Sequence, residues 1–117
     1  MTEIRSIQER SFQFSIRIVR MAKFLPRNPA GFAIADQVVR SGTSIGANIA
    51  EAQDAASHAD FTHCLNISLK EARETEYWLK LIVESGILPQ AKMAPLLVEI
   101  VELVKILRAS VKRLRSK

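Results

Sequence analysis

The chain has only one cysteine, Cys64, so no intrachain disulfide can form and the fold depends on its core. It has no stretch near the roughly 20 apolar residues that a membrane span requires. The first thirty residues alternate apolar and basic positions and lack the continuous apolar segment of a secretory leader. A cytoplasmic protein without membrane contact is therefore expected. No segment shows the strict two-residue alternation of a half-buried strand, which argues against a sheet.

Sequence patterns of reactive centres are also missing. A di-iron bundle needs Glu-x-x-His pairs, and this chain contains none. Asp54 and His58 are four apart but straddle a predicted helix break, and His63 and Cys64 point about 100° apart around a helix. A capping or surface histidine and a buried thiol account for these residues, and no metal or cofactor is expected. The run Ser41-Gly42-Thr43-Ser44-Ile45-Gly46 lacks both the Gly-Lys-Ser/Thr and the preceding strand of a phosphate loop. Nothing resembles a nucleophile elbow. Glu71 and Glu74 could serve as an acid–base pair, but Lys70, Arg73 and Glu76 around them indicate an ion-paired helix face. No catalytic residue and no small-molecule substrate are expected.

What is present is charge, unevenly distributed. Of the 117 residues, 1–27 carry six basic and two acidic groups, 28–102 carry five and ten, and 103–117 carry six basic and no acidic groups. The excess of +5 therefore lies at the two ends of the sequence. Such a surface suits a nucleic acid or an acidic protein, and it also keeps a small protein dispersed.

Four helical stripes are also present. Ile4, Ile7, Phe14, Ile18, Met21 and Leu25 share one face of a first helix predicted from about Ser11 to Leu25, with Arg17, Arg20 and Lys23 on another face. Pro26 and Pro29 end it, and Asn28-Pro29 reads as an N-cap followed by proline at the first helical position. The second helix, near 25 residues, carries Ile34, Val38, Ser41, Ile45, Asn48/Ile49 and Ala52. Its centre is rich in small residues. An interior glycine costs roughly 1 kcal/mol against alanine, so Gly42 and Gly46, four apart, are expected to admit a neighbouring helix at close range or to mark a kink.

Ser57 and Asp60 form a capping signal for a third helix along Phe61, Leu65, Ser68, Ala72, Thr75, Leu79 and Ile82, which Ser85-Gly86 stops. Ile87 to Ala94, with Pro89, reads as a connection with room for one helical turn. Pro95 then falls in the first turn of a fourth helix with Leu96, Ile100, Leu103, Leu107, Ser110 and Leu114 as its seam. The fold class is all-α: one domain over residues 1–117, an antiparallel up-down-up-down four-helix bundle.

In that topology Arg17, Arg20, Lys23 and Arg27 lie toward one pole. Lys105, Arg108, Lys112 and Arg115 lie toward the other, beside Arg5 and Arg10. The four cations of the first pole and Lys105, Arg108, Lys112 and Arg115 of the second are candidate phosphate ligands, although cations in the last turns of a helix also complement its dipole. Arg40, Ser44, Asn48 and Glu51 share one face of the second helix. They form either an interhelical polar network with Glu71 or Glu74, or a recognition surface. Phe12, Ile16, Phe24, Val101, Val104, Val111 and Tyr77-Trp78 lie off the seams and are expected to need cover from another copy.

The run from Ile34 to Ala52, with Arg-Ser-x-x-Ser-Ile-x-x-Asn-Ile-Ala-Glu at Arg40, Ser41, Ser44, Ile45, Asn48, Ile49, Ala50 and Glu51, followed by the run from Leu65 to Leu79, resembles a bacterial family of four helix bundle proteins. That family includes 23S rRNA-intervening sequence proteins, which are often labelled ribosomal. It is also similar to the accessory variability determinant of diversity-generating retroelements, a basic ring of five that contacts a reverse transcriptase. The sequence departs from the pattern at Ala52, where many members have glycine. The resemblance implies a homopentameric, non-catalytic module whose basic surface associates with RNA or DNA. The alternative it leaves open is a protein–protein adaptor for a nucleic-acid enzyme such as a reverse transcriptase.

Overall fold

The computed structural model describes residues 2–116, with side chains from Ser6 onward. Four helices follow in order: α1 (Thr2–Ala22), α2 (Pro29–Ala52), α3 (His58–Glu84) and α4 (Gln90–Arg115). Among the described residues there is no strand, and no helix is long and apolar enough to cross a membrane. Each helix packs antiparallel to the next, and α4 returns beside α1, which gives a rod of 46 × 22 × 20 Å. The four seams meet in one core, in which Phe14, Ile18, Ile45, Leu65, Leu79, Ile100 and Leu107 are essentially inaccessible.

The bounds of α1 differ from the sequence expectation at both ends. It begins at least nine residues earlier and stops at Ala22 instead of Leu25. Pro26 disfavours helical geometry at Leu25. The last turn tightens accordingly: the N–H groups of Lys23, Phe24 and Leu25 donate to the carbonyls of Arg20, Met21 and Ala22, three residues back. Leu25 still closes the stripe because this turn keeps its side chain in the core. The Ile4 and Arg5 side chains lie outside the described set.

α2 opens as expected, with the Asn28 carboxamide oxygen accepting from Gly31 N–H at 2.8 Å and Pro29 in the first turn. It runs unbroken through Gly42 and Gly46 because α1 needs the space they leave. A side chain begun at Gly42 would meet Ile18 at 2.9 Å, and one at Gly46 would meet the Ser11 hydroxyl at 3.2 Å. On its other side, Ser68 Oγ donates to the Ile45 carbonyl at 2.8 Å and Thr75 Oγ1 donates to Ser41 Oγ at 2.9 Å. Close van der Waals contact on one flank and buried hydrogen bonds on the other offset the helical cost of the small residues. Ala52 is buried, and the next residue, Gln53, has right-handed helical geometry. Nothing at this end requires glycine's positive φ.

α3 is capped by Ser57 Oγ, which accepts from Asp60 N–H at 3.1 Å. Past its last residue, Glu84, the chain turns at Gly86 (φ 76°), where Ile87 N–H donates to the Ile82 carbonyl and Gly86 N–H to that of Val83. α4 then starts at Gln90, within the stretch expected to be a connection. The Pro89 carbonyl accepts from Lys92 and Met93, and the inaccessible Met93 side chain anchors the added turn in the core. Pro95 therefore lies inside the helix rather than in its first turn. It deprives the Ala91 carbonyl of its helical partner at an exposed position, where solvent can substitute.

Two residues expected to need outside cover, Val104 and Val111, are buried within the bundle, because α4 presents a broad face toward both α3 and α1. Ile16, Val101 and Trp78 are half-buried. Phe12, Phe24 and Tyr77 remain exposed, joined by Val19, Phe32 and Val98, which the stripes did not single out. Cys64 is a free thiol at the edge of the core, half-buried rather than fully enclosed.

Candidate nucleic-acid interface

Between Glu9 and Asp36 the sequence contains no carboxylate, and this run forms the C-terminal half of α1, the turn and the start of α2. Arg20, Lys23 and Arg27 are exposed along it and Arg17 is half-buried. The antiparallel return of α4 adds Lys92 to this end, across a groove whose walls include Arg17, Arg20, Met21 and Phe24 on one side and Met93 and Leu96 on the other. Lys92 Nζ stands 5.6 Å from the centroid of the Phe24 ring. Arg20 and Lys23 also flank a shallow apolar depression beside Ile16 and Val19. The structure thus brings Arg17, Arg20 and Lys23 together and supplies Lys92, which sequence reasoning left in a connection. Its only signal was the single positive charge close to a proline pair.

At the opposite pole Arg108, Lys112 and Arg115 project from the last turns of α4 and are exposed. Arg115 shares a polar hollow with His58, His63 and Asn66 of α3. A ring nitrogen of His58, Nε2, lies 3.0 Å from the Leu114 carbonyl and, as donor, ties the start of α3 to the end of α4. Glu51, Asp54 and Asp60 lie at the ends of α2 and α3 on this side, so the field here is mixed. Lys105 stands apart, 3.9 Å from Glu102 on its own helix.

Arg10 does not join the charge at this pole. Its guanidinium donates to both Glu99 oxygens, at 3.1 and 2.8 Å, across the α1–α4 seam. That side-chain hydrogen bonding raises its pKa above the usual arginine range, against a smaller opposing effect of burial.

The polar face of α2 divides. Arg40 donates to Glu71 at 3.1 Å and also pairs with Glu74, whose Oε2 accepts from Trp78 Nε1 at 2.9 Å. These groups lie at the surface of the α2–α3 groove, and the Arg40 side chain is 46% exposed. Ser44 and Asn48 instead turn to their own helix, donating to the Arg40 and Ser44 carbonyls at 2.6 and 2.8 Å. Glu51 is exposed one turn further on. Among the described residues no three His, Cys, Asp or Glu side chains converge as metal ligands would, and every buried side-chain polar atom has a partner.

The family model described as 23S rRNA-intervening sequence protein matches residues 5–109. Among solved structures, the chain is similar to a protein of unknown function from the S23 ribosomal protein family of Bacteroides thetaiotaomicron. The two are 41% identical, with 94% of this chain and 98% of that chain covered and a TM-score of 0.86. No curated protein matches significantly.

Proposed function

The chain belongs to the 23S rRNA-intervening sequence protein family, and on that premise we propose that it acts without catalysis, as a cytoplasmic, self-associating bundle that binds RNA through its cationic ends. The observation carrying this reading is the carboxylate-free run that presents Arg17 and Arg20 across a groove from Lys92, with Lys23 and Arg27 exposed along it. Phosphates neutralised there release counterions, so affinity falls with salt. Arg108, Lys112 and Arg115 form a second, weaker contact zone with Lys105 at its margin, weakened by the neighbouring carboxylates and shared with the helix dipole.

Filter binding with structured RNA tests this. If four phosphates are engaged, log affinity falls with log salt at a slope of about −3, roughly a 50-fold loss between 50 and 200 mM. Absence of any salt-sensitive binding below tens of micromolar contradicts the reading.

Self-association, with five copies as the proposed stoichiometry, is supported by the exposure of Phe12, Phe32, Tyr77 and Val98, apolar surface that a second copy would remove from water. Light scattering at the mass of one 13.1 kDa chain would contradict it. The same exposed residues support a second reading, an adaptor to a nucleic-acid enzyme such as a reverse transcriptase. Recovery of such an enzyme in a complex that resists nuclease would favour it.

A further inference from the structure

Phe24 lies two residues past the end of α1, in a turn with little backbone freedom. Pro26 fixes one backbone angle, and Gly31 packs so closely under it that an added side-chain carbon would collide with the Pro26 carbonyl oxygen. The turn therefore fixes the backbone from which Phe24 projects, and the ring is not spent on the core: the residue is 70% exposed, the most of any large apolar side chain described. It stands at the mouth of a groove of about 340 Å³ with an apolar floor formed in part by Met21, Leu88 and Leu96. Every charged residue lining that groove is a cation: Arg17, Arg20 and Lys92.

A solvent-facing aromatic ring at the mouth of a cation-lined groove has a specific use in nucleic-acid binding. Base–aromatic stacking needs a free π-face, which an unpaired nucleotide offers and a duplex withholds, while neighbouring cations hold the flanking phosphates. An intact duplex would press its charged backbone onto the ring and gain nothing from it. Lys92 lies over one face of the ring in a cation–π contact, which keeps a positive charge next to the stacking surface and leaves the base the other face.

Resting on the RNA-binding reading above and deepening it, we infer that Phe24 is a stacking platform for an unpaired base, with Arg17, Arg20 and Lys92 on the adjoining phosphates, so that the ligand is a single-stranded or bulged segment. A protein segment carrying acidic and apolar side chains matches the charge but has no need of the aromatic face.

Fluorescence anisotropy with a labelled 12-nucleotide single-stranded RNA and with the same RNA in a duplex tests the inference on the whole protein. Stacking of this kind is worth roughly 5- to 150-fold in affinity. F24A and F24L are expected to lose that factor on the single strand with an unchanged salt slope, while F24W binds at least as well as the wild type. Tryptophan emission of F24W should also be quenched by the single strand beyond any change from Trp78 in the wild type. Equal binding by F24L and wild type, or an equal loss on the duplex, would overturn the platform while leaving RNA binding intact. No salt-sensitive binding of either RNA by the wild type would overturn both. A Phe24-dependent, nuclease-resistant protein complex without RNA affinity would overturn the platform in favour of a peptide in the same groove.

Discussion

The two seams that α1 makes with its neighbours are built oppositely. Against α2 it meets glycines, so Ile18 and Ser11 sit almost on the partner backbone. Against α4 it is held further off, bridged midway by Arg10 and Glu99 and open at one end into the groove beside Phe24. The first seam shows where shape is fixed: small residues leave a neighbouring helix only one way to approach. The second shows where surface is left over. Where two helices lie further apart a cleft remains at the surface, and here cations border it.

Filling the tight seam should have the largest effect. Gly42→Leu drives a branched side chain into inaccessible Ile18, and a loss of about 3 kcal/mol is expected in urea denaturation, with a lowered midpoint and an unchanged slope. A stability within 0.5 kcal/mol of wild type would mean that α1 and α2 are not packed this closely.

Cutting the bridge across the loose seam should matter far less. Arg10→Met removes a bidentate pair whose arginine is 37% exposed, so screening leaves roughly 0.5 kcal/mol to lose, and less at high salt. A loss comparable to that of Gly42→Leu would erase the distinction between the seams.

The tight seam was legible in the sequence and the open one was not. Gly42 and Gly46 lie four apart in a helix whose stripe is otherwise unbroken, and a repeated local cost of that kind points to a close neighbour. The α3 seam from Leu65 to Ile82 and both of its ends were equally plain, because a serine cap and a glycine stop act within a few residues of themselves. The start of α4 was not, since Pro89 and Pro95 both suit a first turn and only the burial of Met93 selects the earlier one. Val104 and Val111 were misjudged for a related reason: a seam drawn one residue wide underestimates the face of a helix packed against two others. The eight candidate cations could be grouped by pole from topology alone. Lys92 and the exposure of Phe24 depend on how α4 comes back alongside α1, which local spacing does not encode.

The most direct test asks whether the cations at this end of the bundle contact RNA. In the triple variant Arg20→Ala, Lys23→Ala, Arg27→Ala, all three positions are exposed, so folding should be retained. Loss of three phosphate contacts should weaken single-stranded RNA binding and reduce the magnitude of its salt slope by about 2. The same affinity and slope as wild type, from a variant with wild-type circular dichroism, would contradict the assignment of RNA to this end of the bundle.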